Sequence, residues 1–117
     1  MPTILLIIFS IFISIDNRQL LLGKWYTELD NSTIEINNSK EGINGIIIKS
    51  DDKSHIGKLV IKEIKKYGSN KFTAEIYDPK IKKYFDATLS LIDTNTLQVK
   101  VTCCLGFFSE TYTWKRL

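Results

Sequence analysis

Between residues 71 and 105 apolar side chains recur at every second position, the period of a strand with one buried face. Phe72, Ala74 and Ile76 alternate with Lys71, Thr73 and Glu75. Phe85, Ala87, Leu89 and Leu91 alternate with Tyr84, Asp86, Thr88 and Ser90. Leu97, Val99, Val101, Cys103 and Leu105 alternate with Gln98, Lys100 and Thr102. Asp78-Pro79 opens a turn between the first two runs, the proline presetting the dihedral of the second turn position. Asp93-Thr94-Asn95 separates the second run from the third. Directly opposed residues of an antiparallel pair share a face, so these apolar faces meet only across a loop of odd length. A three-residue loop with Asn95 left-handed meets that condition. The resulting register sets Leu91 opposite Leu97, Leu89 opposite Val99, Ala87 opposite Val101 and Phe85 opposite Cys103. On the preceding hairpin it sets Ile76 opposite Phe85, Ala74 opposite Ala87 and Phe72 opposite Leu89. A row of small side chains, Ala74–Ala87–Val101, is therefore expected on the buried face.

Shorter runs flank this block. Gly23-Lys24-Trp25 begins a strand reaching about Leu29, and a turn at Asp30-Asn31-Ser32 leads to a strand over 33–36. A polar loop (37–42) precedes a strand over 43–49, in which Gly45 marks a bulge or a close backbone approach. Residues 50–55 form a polar connection. Residues 57–64 read as a strand, although Leu59-Val60-Ile61 with Ile64 also fits one turn of helix. A turn over 65–70 leads into the central runs, and 106–110 turns into a last strand over 111–117. The sum is an all-β chain of eight antiparallel strands in up-and-down order. Such a set closes into a barrel just wide enough to be filled by side chains or to hold one small ligand, and closure removes exposed sheet edges.

The N-terminus differs in kind. Residues 4–15 are apolar apart from Ser10 and Ser14, a run shorter than the roughly 20 residues a spanning helix needs. It reads as a secretory signal peptide (residues 1–16), with an uncleaved N-terminal anchor as the alternative, ahead of one domain over 17–117. The protein is then expected in the periplasm or secreted. At a formal net charge of +3, with lysines gathered between Lys53 and Lys83, the surface suggests solvated polar faces and gives no nucleic-acid signature. Cys103 and Cys104 are the only cysteines. Neighbouring strand residues point to opposite faces, so Cys103 is expected as a buried thiol and Cys104 as an outward one.

Catalytic chemistry has little to stand on. His55 is the only histidine and is expected as a solvated loop residue without a nucleophile beside it. Asp51-Asp52 lacks the spaced acidic loop that holds a hard cation. One histidine and two face-opposed cysteines do not make a zinc site, and no glycine-rich phosphate loop is present. No enzyme, cofactor or metal is expected.

The segments Gly23-x-Trp25, Gly45, Ile76-Tyr77-Asp78-Pro79, Lys83, the run over 89–99, Phe108 and Thr113-Trp114-x-Arg116 resemble the small secreted bacterial proteins of domain of unknown function 2147. The likeness extends over the mature chain and is strongest over 74–99 and 111–117. It implies a lipocalin-like barrel of unestablished biochemical role. It also implies that Gly23, Trp25, Trp114 and Arg116 are structural, the arginine lying across the tryptophan that closes one end. Departures stand at 50–55, shorter than the family's Asn-Pro-Asp-Pro segment, at Lys82 in place of a turn glycine, and at Phe85 in place of an aromatic hydroxyl.

Two functions follow as expectations. In one, a small apolar ligand sits in the barrel against Ala74, Ala87, Val101 and Cys103, flanked by Phe72 and Phe85, with Tyr112 offering a hydroxyl. In the other, the core is filled, and an envelope protein works through surface contacts such as Lys62–Lys66 or Phe107 and Phe108 with a protein partner. Nucleic acid is not expected as a partner, and a membrane only through the N-terminal segment.

Overall fold

A computed structural model describes residues 17–103 and 108–117. The expected leader (1–16), Cys104 and Phe107 lie outside the described residues. Eight strands follow one another: β1 (Gly23–Thr27), β2 (Ser32–Ser39), β3 (Gly42–Lys49), β4 (Leu59–Gly68), β5 (Lys71–Asp78), β6 (Lys83–Asp93), β7 (Thr96–Cys103) and β8 (Phe108–Arg116). Each pairs antiparallel with the next. β8 returns to β1 through Trp25↔Arg116 and Tyr26↔Lys115, so the sheet closes into an up-and-down barrel.

The register of the central strands follows from the alternation of their side chains. Phe72 faces Leu89, Ala74 faces Ala87 and Ile76 faces Phe85. Across the next pair Ala87 faces Val101, Leu89 faces Val99 and Leu91 faces Leu97. The turn between β6 and β7 reaches that register differently from the expected three-residue loop. Asp93 pairs with Thr96, leaving a two-residue turn, and the extra residue is absorbed by a shift between Leu91 and Asp93. Asn95 is not left-handed. The Asp93 carboxylate accepts the Asn95 amide at 2.8 Å, an Asx turn that favours the tighter connection. That amide, followed by the Thr96 hydroxyl, holds the Asp93 carboxyl below the usual carboxylate range.

β2 and β4 run past their expected ends, to Ser39 and Gly68. Their last residues are exposed on both faces, so alternation fades while backbone pairing goes on. The helical spacing of Ile61 and Ile64 has a specific cause. Lys62 pairs with Glu75 and Lys65 with Thr73, which leaves Glu63 and Ile64 together opposite Ala74. Glu63 adopts φ 56° to make this bulge. The inserted residue turns both Ile61 and Ile64 inward, where both are buried. At Gly45 the backbone is closely approached: a Cβ there would run into Ile61 Cγ2 and stand 3.1 and 3.2 Å from Ile34 Cγ2 and Ile36 Cγ1.

One end of the barrel is plugged. The 3-10 turn Asn17–Leu21 lies across it, with Leu21 fully buried and its carbonyl accepting the Trp25 indole N–H at 2.9 Å. Arg18 Nη1 donates to the Ile64 carbonyl at 3.3 Å, tying the turn to β4. The Arg116 guanidinium stands 4.2 Å from the Trp25 ring centre. It spreads its donors over three carbonyls: Nε to Thr94 at 2.9 Å, Nη1 to Leu22 at 2.7 Å and Nη2 to Leu20 at 2.6 Å. A planar fork with five donors suits this task as an ammonium would not. Trp114, nearly fully buried, packs in the same core as Trp25.

Candidate functional site

The other end carries the loops 28–31, 50–58 and 79–82, and it is here that the barrel opens. Asp30 and Asn31 are left-handed, at φ 53° and 46°, a conformation short Asp and Asn side chains tolerate better than most. That tight turn aims their polar groups at the neighbouring loop. The Asp51 amide donates to the Asp30 carbonyl at 2.9 Å. Asn31 Nδ2 donates to Asp51 Oδ2 at 2.7 Å, and its Oδ1 accepts the Tyr26 hydroxyl at 2.6 Å. Below them the Ser32 hydroxyl meets that of Ser50 at 3.2 Å.

His55 sits between these two loops, with Nε2 3.2 Å from Asp52 Oδ2 and Nδ1 3.8 Å from Asp30 Oδ2. Its side chain is 14% exposed, which corrects the expectation of a solvated loop residue. The short connection folds back over the barrel instead of looping into water, and the imidazole comes to line the opening. Asp52 accepts both the hydroxyl and the amide of Ser54, at 2.6 and 3.0 Å. These two bonds, aided by His55, hold its carboxyl below the usual range.

On the facing side Asp78 shapes the 79–82 loop. Its carboxylate accepts the Lys80 amide at 2.9 Å and its carbonyl the Lys82 amide at 2.8 Å. Lys82 is left-handed at φ 57°, a backbone state that suits glycine. On the outer wall Tyr77 and Tyr84 pack with ring centres 5.0 Å apart, and Lys62 Nζ lies 3.9 Å above the Tyr84 ring. The Tyr84 hydroxyl donates to the Leu59 carbonyl at 2.9 Å.

Between the loops lies a cavity of about 80 Å³. Ile34, Ile47, Val60, Ile76, Val99 and Trp114 form its apolar walls, with Asp30, His55 and Pro79 at the opening. Of the residues expected to line a ligand site, Val101 and Tyr112 border this cavity and Phe72, Ala74, Phe85, Ala87 and Cys103 do not. Phe72 is fully buried in the core and Phe85 is half-buried. Ala74 and Ala87 are buried as well, and beyond them a separate groove of about 400 Å³ runs over the outer wall between Glu63, Glu75, Asp86 and Thr102. Beside the small row, the bulge in β4 turns the buried Ile64 inward opposite Ala74.

Tyr112 turns its hydroxyl to the Glu110 carboxylate, not to the cavity. That hydrogen bond, partial burial and the negative charges of Glu110 and Asp78 push its pKa up to about 12. Cys103 departs from the buried thiol expected of it. It is half-buried at the mouth end of β7, and it is disulfide-bonded.

Of the rim itself, sequence reasoning singled out Phe108 and passed over the rest. Leu29, Ile56 and Ile81 stand exposed on the three described loops, and Phe108, 68% exposed, adds a fourth apolar side chain at the start of β8. Leu29, Ile56 and Ile81 were each visible as a lone apolar residue in a polar loop. Among the described residues no buried side-chain nitrogen or oxygen lacks a partner, and no cluster of His, Cys, Asp or Glu could hold a metal ion. The opening thus presents an apolar throat, a polar hinge at His55 and an apolar crown.

The family model for an uncharacterised protein conserved in bacteria, DUF2147, matches residues 23–116. The chain belongs to that family. A solved structure of a Helicobacter pylori protein, described as belonging to the lipocalin family, superposes with a TM-score of 0.70 at 18% identity, covering 83% of this chain and 82% of that one. At that identity the likeness establishes the fold, a lipocalin-like barrel. No curated protein matches the chain. Within the family's span, Gly23 and Arg116 meet directly. Gly23 sits at φ 127°, and a Cβ there would lie 2.9 Å from Arg116 Nη1.

Proposed function

We propose that this protein is a non-enzymatic binding module that receives a small apolar group through the mouth, the rest of its ligand lying across the crown. The cavity carries this reading. A site that engulfs a drug-sized ligand measures about 300–1,000 Å³, and a cavity near 150 Å³ holds benzene. At about 80 Å³ the throat takes only a tip, such as a branched alkyl end. Its walls are apolar and every buried polar side-chain atom described is satisfied, so nothing in them calls for a polar ligand. The disulfide at Cys103 supports an oxidising compartment, the periplasm or the exterior.

The test is saturable binding of the apolar dye N-phenyl-1-naphthylamine. Val101→Phe should fill the throat and cut affinity at least tenfold while leaving the melt near wild type. Undiminished binding by that variant would reject the mouth as the site. A second reading, a protein partner docked on the crown with the throat playing no part, is favoured by the four exposed apolar rim residues. It predicts that pull-downs from an envelope extract lose their partner with Ile81→Ser and Phe108→Ser and keep it with Val101→Phe.

A further inference from the structure

The barrel closes through a short seam. β8 has nine residues, but only Lys115 and Arg116 pair with β1, at Tyr26 and Trp25. β1 leaves the seam because Glu28 takes helical dihedrals, φ −67° and ψ −18°, and the 3-10 turn Leu29–Asn31 carries the chain away. From Phe108 to Trp114, β8 has no partner strand on that side. Its pairing with β7 runs without a register shift, so the direction of its amides alternates along the strand. The Arg116 amide donates toward β7, to Asn95, and the Leu117 amide toward β1, to Lys24. Thr113 and Thr111, even steps from Leu117, therefore turn N–H and C=O to the open side, and both residues are exposed. Lysine, proline and bulges, which commonly blunt such an edge, are absent from 109–114.

A groove of about 570 Å³ runs along this edge, between Glu28 and Leu29 on one side and Thr111, Tyr112 and Thr113 on the other. It adjoins the throat, since Thr27, Leu29 and Tyr112 border both. Of the two charged side chains in the groove, Lys115 turns toward β7, its Nζ 3.4 Å from the Thr96 hydroxyl. The Glu28 carboxylate has no partner among the described residues.

Taking the throat as a binding site, we propose that its ligand is the amino-terminal end of an extended polypeptide, added as a strand antiparallel to β8. β1 occupies the edge at Lys115, so an added strand has its end opposite Thr113. Running antiparallel, it starts there with its ammonium beside Glu28. Running parallel, it would finish there with a carboxylate, which Glu28 repels. The first and third residues of the peptide stand opposite Thr113 and Thr111 and exchange backbone hydrogen bonds with them. The second stands opposite Tyr112, and directly opposed residues share a face, so its side chain turns inward to the throat. At about 80 Å³ that space takes a branched alkyl side chain such as that of leucine. Later residues run past Ser109 toward the crown at Phe108.

The probe is a peptide of alanine, leucine, threonine and two serines, in that order, with a carboxy-terminal fluorophore read by anisotropy. Acetylating its amine, or Glu28→Gln in the protein, should each weaken binding about fivefold. N-methylation tests the register. At the third residue it removes the donor to the Thr111 carbonyl and should weaken binding roughly fivefold or more, whereas at the second, whose amide points away from β8, the change should stay within about twofold. Thr111→Pro removes the matching donor of the protein without touching the β7 ladder, so it should abolish binding and leave the melt near that of the parent. The naphthylamine dye separates the two readings. If the dye binds and responds to Val101→Phe while the peptide does not bind, the peptide proposal falls and the throat stands. Equal effects of the two methylations, indifference to acetylation, or a dimer of the protein that Thr111→Pro dissociates would each overturn the proposal, the last by giving the edge to a second copy.

Discussion

Arg116→Ala tests the closure on which the barrel depends. The substitution removes three hydrogen bonds from a charged donor, to the carbonyls of Thr94, Leu22 and Leu20, and the cation above Trp25. A hydrogen bond to a charged group contributes about 1.5–3 kcal/mol where water is excluded. Two of these three are exposed, so roughly 0.5 kcal/mol each is the appropriate discount, with about 1.5 kcal/mol for the half-buried bond to Leu22. The ring contact adds about 1 kcal/mol. The total is about 3–4 kcal/mol, which at roughly 4 °C per kcal/mol for a domain of this size lowers the melting temperature by about 15 °C. A lysine in this place would keep the charge but not the fork, so Arg116→Lys should lose about half as much. Gly23→Ala supplies an internal control. It strains the backbone at φ 127° and presses a methyl against Nη1, so it should cost less in the Arg116→Ala background than in the parent. Differential scanning calorimetry of the parent, the three single variants and the Gly23→Ala, Arg116→Ala double variant measures all of this. A melt within about 3 °C of the parent for Arg116→Ala, or additivity with Gly23→Ala, would refute the reasoning.

Gly45→Ala should lower stability by about 1–3 kcal/mol in urea melts, since the added methyl overpacks against Ile61. Lys82→Gly should raise it by about 0.5–1 kcal/mol, because glycine adopts the left-handed state of that turn without steric cost. In an absorbance titration at alkaline pH, one tyrosine should titrate near 12 and vanish with Tyr112→Phe. A raised phenol pKa means that the folded protein holds its proton more tightly. Tyr112 therefore contributes stability that is complete below pH 10 and lost as pH rises through about 12. His55→Ala should widen the opening and raise affinity for the naphthylamine dye, whereas Ser54→Ala, which touches only Asp52, should leave it unchanged.

Strand order, closure and the register of β5 to β7 were legible because one buried face imposes a strict period of two. A slip of a single residue would turn Phe72, Leu89 and Val99 to water. The same rule explains what was not legible. A bulge breaks the period by one residue, so Ile61 and Ile64 read as helix although both are strand residues turned inward. The cavity was sought beside the smallest side chains, whereas the bulge in the neighbouring strand β4 turns Ile64 inward beside Ala74. His55 was misplaced for a different reason. Local polarity says that a loop is wet, while the folding of that loop over a barrel opening depends on Asp30, more than twenty positions earlier in the chain.

This division between strands and loops bears on where specificity resides. The core is packed from Trp25 to Trp114, and Ile64 is turned in beside Ala74, so changes at strand positions away from the cavity lining alter stability before they alter binding. What space there is lies under His55 and between loops fastened to one another by Asp30, Asn31 and Asp51. Those loops vary in length at little thermodynamic cost, since closure entropy grows only with the logarithm of loop size. The connection over 50–58 is therefore the segment that sets the depth of the throat. Grafting a longer loop there should deepen the cavity and admit larger apolar groups without disturbing the melt, whereas enlarging Ala74 or Ala87 should unfold the barrel and leave ligand preference unmoved in whatever fraction still folds.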